Sequence, residues 1–146
     1  MEDRMTKEQA QVKEFMIKAN QKIPVKPHLP TEKIGRLRLN LIGEEFKELA
    51  NALGFVINFD YTNFEPEPDW ANLVDTADAI ADLMYVVLGT AVACGIDIEP
   101  IFQEVHRSNL TKFVDGTFRE DGKYVKGPNY SPANLEPLIE KQCQPT

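Results

Sequence analysis

Two groups of acidic residues are spaced as residues that do chemistry together. The first is Gly43-Glu44-Glu45-Phe46-Lys47-Glu48. The second lies in the run from Leu73 to Leu88, where Asp75, Asp78 and Asp82 recur at i, i+3 and i+7. On a helix of about 100° per residue, these aspartates share an arc of roughly 60°. Hard carboxylate oxygens from two facing helices suit Mg²⁺ or Mn²⁺, and helix bundles build such sites from inward carboxylates. Two plainer explanations compete. The glutamates are then a solvated acidic turn with a Glu44–Lys47 pair, and the aspartates are neutralised by Arg36, Arg38 or Arg107.

A third group is weaker. His106, Asn109 and Lys112 follow at i, i+3 and i+6 within His106-Arg107-Ser108-Asn109-Leu110-Thr111-Lys112. A basic and amide edge of this kind holds phosphate oxygens, although a helix dipole alone favours cations at a C-terminus. Arg119, Lys123 and Lys126 follow in the tail, where they either close over a phosphate chain or are ordinary surface charge. No Walker loop, Gly-x-Gly-x-x-Gly or nucleophile–histidine pair is present. The two histidines, His28 and His106, do not stand at Glu-x-x-His spacing, which argues against a di-iron oxidase.

Helices must position these groups. A first helix is expected from about Thr6 to Gln21, with Val12, Phe15, Met16 and Ala19 on one stripe. Three prolines between Ile23 and Pro30 break it. Thr31 can cap a second helix from Glu32 to Leu53, stopped by Gly54. On its wheel, Ile34, Leu37 and Leu41 share one arc, and Glu44, Glu45 and Glu48 broaden it to about 100°. The glutamates are therefore expected to extend an inward face, with Arg36, Asn40, Lys47 and Asn51 left to solvent. Residues 55–68 read as a loop. Asp69 can cap a third helix from Trp70 to Cys94, closed by Gly95. From Ala79 onward this helix is apolar nearly all round, which predicts burial, with Asp82 its only charge. Asp97 can cap a fourth helix running to about Lys112. Phe118 to Val125 suggests a hairpin turned at Asp121-Gly122, and Pro132 to Lys141 a short last helix.

The length of 146 residues fits one domain, with a core at about 31–112 and a tail at 113–146. A net charge of −7, from 23 acidic against 16 basic residues, argues against non-specific binding to nucleic acid or an anionic membrane. Cys94 and Cys143 offer neither a disulfide framework nor zinc spacing. Met1-Glu2-Asp3-Arg4 opens without an apolar signal segment, and Ala79 to Gly95 is short for a membrane span, so a cytoplasmic location is expected.

The sequence resembles the all-α nucleoside triphosphate pyrophosphohydrolases, the superfamily of MazG, dimeric dUTPase and phosphoribosyl-ATP pyrophosphohydrolase. That family pairs a Glu-Glu-x-x-Glu helix with a Glu-x-x-Asp helix. The first half is intact at Glu44-Glu45-Phe46-Lys47-Glu48. In the second, alignment on Asp82 and Gly95-Ile96-Asp97 puts Ala79 at the family glutamate, so Asp78 or Asp75 must substitute. Likeness to a short single-domain bacterial and phage branch rests on residues 78–86, 95–97, 104–109 and 121–128 taken together.

The resemblance implies a MazG-like bundle of about four main helices, with a hairpin-containing tail, assembled as a homodimer or homotetramer. It implies cleavage of a nucleoside triphosphate into monophosphate and pyrophosphate, with dGTP or GTP the first guess. Glu45, Glu48, Asp78 and Asp82 would ligate two or three Mg²⁺ ions, replaceable by Mn²⁺, with Glu44 and Asp75 either ligating as well or supporting the ligands. Glu44 or Glu45 would act on the attacking water. Arg107, Asn109, Lys112, Lys126 and His106 would hold the substrate. Two alternatives remain: a phosphoribosyl-ATP pyrophosphohydrolase, and a non-enzymatic helical regulatory or scaffold protein with an acidic partner-binding face.

Overall fold

A computed structural model describes residues 5–57, 64–66, 69, 71–121 and 124–144. The architecture is all-α, as expected, with five helices among the described residues: α1 (Lys7–Lys18), α2 (Glu32–Ala52), α3 (Leu73–Ala93), α4 (Ile98–Leu110) and α5 (Glu136–Cys143). Two short antiparallel pairs accompany them. Strand β1 (Phe55–Ile57) pairs with β2 (Phe64–Pro66), and β3 (Thr117–Phe118) with β4 (Tyr124–Val125). The chain forms two compact units, one of Lys7–Gly95 and one built from Ile96 onward.

In the first unit, α1 is followed two residues on by Asn20, whose φ of 57° is the left-handed conformation asparagine tolerates just past a helix C-terminus. The proline-rich connection then crosses to the end of α3, where the His28 N–H donates to the Cys94 carbonyl at 2.9 Å. Gly95 is required at that crossing. Its φ is +68°, and a Cβ there would lie 2.6 Å from the Lys26 carbonyl oxygen. Thr31 caps α2 as expected, accepting from the Ile34 N–H, and Gly54 follows its end at φ 84°. The core lies between α1 and α3, where Val12, Met16, Val92 and Ala93 are buried and Ile23 and Leu88 pack against them.

Several boundaries differ from expectation. The segment after α2 is not all loop: Phe55, Val56 and Ile57 pair with Pro66, Glu65 and Phe64. The cap of α3 is Asn72 rather than Asp69, and its side chain accepts from the Val74 and Asp75 N–H groups. Helix α3 is also not buried all round in one copy of the chain. Ala79, Gly89, Val92 and Ala93 are inside, while Ile80, Met84, Tyr85 and Val87 are exposed. By length and composition alone α3 could cross a membrane, and about a fifth of its most apolar stretch is buried (22%). Gly89 nevertheless packs against Val12 and Met16 of α1 and Arg38 of α2, and the aspartates mark a polar stripe along the helix.

In the second unit, Asp97 caps α4 by accepting from the Glu99 N–H. The tail hairpin forms, although its turn residues Gly122 and Lys123 lie outside the described residues, as does Trp70. The last helix starts later than expected, at Glu136.

Candidate active site

Helices α2 and α3 run antiparallel and are clamped where one ends and the other begins. The Asn72 N–H and the Thr76 hydroxyl both donate to the Ala52 carbonyl, at 2.8 and 3.0 Å. This pins the first turn of α3 to the last turn of α2. It brings the aspartates, which precede the apolar half of α3, level with the glutamates of α2.

The result is a compact group. One carboxylate oxygen each from Glu45, Glu48 and Asp82 lie within 4.8 Å of one another. Burial raises the Glu45 pKa above the usual carboxylate range, and the negative charges of Glu48, Asp82, Glu44 and Asp78 raise it further. One Glu45 oxygen, Oε2, is buried with no hydrogen-bond partner. The inward orientation expected of the whole group holds for Glu45 only. Glu44, Glu48, Asp75, Asp78 and Asp82 are exposed in a single copy of the chain.

No cationic side chain neutralises these six carboxylates among the described residues. Each arginine considered from the sequence is engaged elsewhere. Arg36 pairs with Glu32 at 2.8 Å. Arg38 is buried and donates to Gln21 Oε1. Arg107 pairs with Glu104 at 2.8 Å. The Glu44–Lys47 pair of the plainer explanation is not formed either; Lys47 is exposed. Two oxygens on opposite sides of one octahedral Mg²⁺ stand about 4.2 Å apart, from bonds of roughly 2.1 Å. A group within 4.8 Å therefore fits a shared divalent cation with small rotamer adjustments. A bound cation would give the unpartnered Glu45 oxygen the partner it lacks.

Beside the group, α2 and α3 enclose an open cavity of about 450 Å³, lined by Glu48, Asn51, Ala52, Asp75, Asp78 and Ala79. Asn51, assigned to solvent from the sequence, lines this cavity and is half-buried. Its position one turn beyond Glu48 was the signal available for finding it.

Comparison with known families places the chain. Residues 12–109, well over half of the chain, match the family described as phosphoribosyl-ATP pyrophosphohydrolase. The chain belongs to the phosphoribosyl-ATP pyrophosphohydrolase family. It is therefore an enzyme, a pyrophosphohydrolase within the MazG-like all-α superfamily, and the family is generally metal-dependent. No curated protein matches the chain.

The residues assigned to phosphate binding from this family's pattern lie in the second unit. Arg107 holds Glu104 through two N–H donors and reaches Ser131 Oγ and the Pro132 carbonyl, so it fastens the tail to α4. With the Asn134 N–H, it holds the Glu104 pKa at about 2, well below the ordinary 4.5. Buried Ser108 donates to the Ser131 carbonyl, and the Ser131 N–H donates to Thr111. Lys112 donates to Asn109 Oδ1. Lys112 and Lys126 both approach the Tyr130 ring, at 5.9 and 4.5 Å from its centre. His106 is exposed.

Proposed function

We propose that this enzyme cleaves nucleoside triphosphates between the α and β phosphates, releasing nucleoside monophosphate and pyrophosphate, with GTP and dGTP the first substrates to test. The observation that carries the proposal is the Glu45–Glu48–Asp82 group, which has no side-chain cation to balance it among the described residues. Glu45, Glu48 and Asp82, with Asp78 beside them, would hold Mg²⁺ or Mn²⁺, two or three ions per site. Divalent cations in such a site lower the pKa of bound water and neutralise charge on a leaving pyrophosphate. Glu44 is exposed at the edge of the group. There a carboxylate oxygen can orient the attacking water and take its proton, a role Glu45 could share. Lys112, Lys126, Asn109 and His106 supply donors suited to phosphate oxygens, and Arg107 shapes the segment that carries them.

We further propose that the chain acts as one functional domain, core 31–112 and tail 113–146, in the cytoplasm. Exposure of Ile80, Met84, Tyr85 and Val87 along α3 supports a homodimer or homotetramer that covers this face. Phosphoribosyl-ATP is the second substrate reading, supported by the family matched. The test is a panel of NTPs, dNTPs and phosphoribosyl-ATP with Mg²⁺ or Mn²⁺, scored separately for pyrophosphate and orthophosphate. Pyrophosphate release from guanine nucleotides supports the proposal. Turnover of phosphoribosyl-ATP alone transfers it to the second reading, and orthophosphate as the only product refutes both.

A further inference from the structure

The cavity beside the carboxylates has two ends of different chemistry. At one end Glu48 belongs to the three-oxygen group with Glu45 and Asp82. At the other stand Asp75 and Asn51, level with each other because the Asn72 and Thr76 donors hold this turn of α3 against Ala52. Asp75 precedes Asp82 by two helical turns, about 10 Å along α3. A metal–oxygen bond of about 2.1 Å does not span that distance. Asp75 therefore stands outside the group that fits one shared cation.

The far end offers an anionic acceptor and an amide that both donates and accepts. Neither side chain has a hydrogen-bond or ion-pair partner among the described residues, and no cation lines the cavity. A phosphate is repelled there. The uncharged part of a nucleotide is not. A carboxylate accepts hydrogen bonds from ribose hydroxyls, the use made of acidic residues in dinucleotide-binding folds. An asparagine amide makes two-point contacts with a base edge. The cavity volume of about 450 Å³ is within the range of small-molecule sites.

We propose that Asp75 and Asn51 bind the nucleoside end of the substrate, Asp75 accepting from the ribose hydroxyls, so that the enzyme favours ribonucleotides over their 2′-deoxy counterparts. This rests on the proposed pyrophosphohydrolase site and adds the sugar preference to it.

The test measures kcat/KM for matched ribo and deoxy pairs of all four bases, on the full chain and on Asp75→Asn, Asn51→Ala and Glu48→Gln. Mn²⁺ binding is measured by calorimetry without nucleotide. A hydrogen bond to a charged group is worth about 10-fold or more in discrimination. The expected result is a ribo-to-deoxy ratio that falls by about that factor in Asp75→Asn, through loss on the ribonucleotide alone. Asn51→Ala lowers kcat/KM on both sugars by a factor that depends on the base. Both variants keep wild-type Mn²⁺ affinity, while Glu48→Gln loses it. A ratio unmoved by Asp75→Asn overturns the proposal. Equal losses on both sugars with weakened Mn²⁺ binding also overturn it, by making Asp75 a metal ligand. If the wild type releases pyrophosphate from none of these nucleotides, the proposed function fails and this inference with it.

Discussion

Replacing Glu48 by Gln should stabilise the metal-free protein and abolish its stabilisation by metal. Without a cation, Glu48 sits within 4.8 Å of like charges on Glu45 and Asp82. Two unit charges at that separation repel by about 0.9 kcal/mol in bulk water and by about 3.5 kcal/mol at an effective dielectric of 20. Glu48 and Asp82 are exposed, so the lower figure applies to each pair, and two pairs are relieved. The expected gain is about 1–2 kcal/mol at low salt, shrinking as salt is added. For a chain of this size that is a rise in Tm of roughly 3–6 °C. Adding Mn²⁺ should reverse the order. The wild type gains about 2.7 kcal/mol at one hundred times Kd, while Glu48→Gln stays flat. Differential scanning calorimetry with chelator and then with graded Mn²⁺ reads both effects. A Glu48→Gln protein that melts below wild type in chelator, or that gains as much from Mn²⁺, would refute the account of these carboxylates as a site strained by its own charge.

Gly95→Ala should cost about 2–4 kcal/mol, combining the left-handed backbone penalty with the approach of the new Cβ to the Lys26 carbonyl; urea unfolding measures it. Asn72→Ala removes the acceptor for two N–H groups of α3 and should cost about 1 kcal/mol by the same assay. The Glu104 carboxyl, held at about 2 by Arg107 and the Asn134 N–H, should titrate there by carbon NMR and return toward 4.5 in Arg107→Ala. Because its folded pKa is depressed, its contribution to stability is full above about pH 4.5 and is lost as pH falls from there through about 2. A wild-type advantage over Glu104→Gln that persists unchanged at pH 2 would contradict this.

Much of the first unit was legible because its signals are local. Thr31, Gly54 and Gly95 act through capping and left-handed backbone, which depend on few neighbours. Helical periodicity made it legible that Glu45 and Glu48 share one face of α2 and that the aspartates share one face of α3, while their meeting across the two helices was implied by the family resemblance. What periodicity does not carry is the partner of a face. The apolar run of α3 reads as buried whether its neighbour is another helix of the same chain or something outside it, and in one copy Met84 and Val87 are exposed. Arginine use was equally opaque. Arg38 shares the sequence credentials of a carboxylate partner but turns to Gln21, beside Gly89, where the absence of a side chain makes room for it. The β1–β2 pairing is not legible in the sequence because strands of three residues leave no alternation to read. The Arg107 and Ser108 contacts to the tail join residues more than twenty positions apart, beyond the reach of local pattern.

The most direct measurement is anomalous diffraction from crystals of the full chain grown with Mn²⁺. The account predicts an ion bonded to oxygens of Glu45, Glu48 and Asp82, with Glu45 Oε2 no longer without a partner. Well-ordered crystals in which those three side chains hold no ion at saturating Mn²⁺ would contradict it.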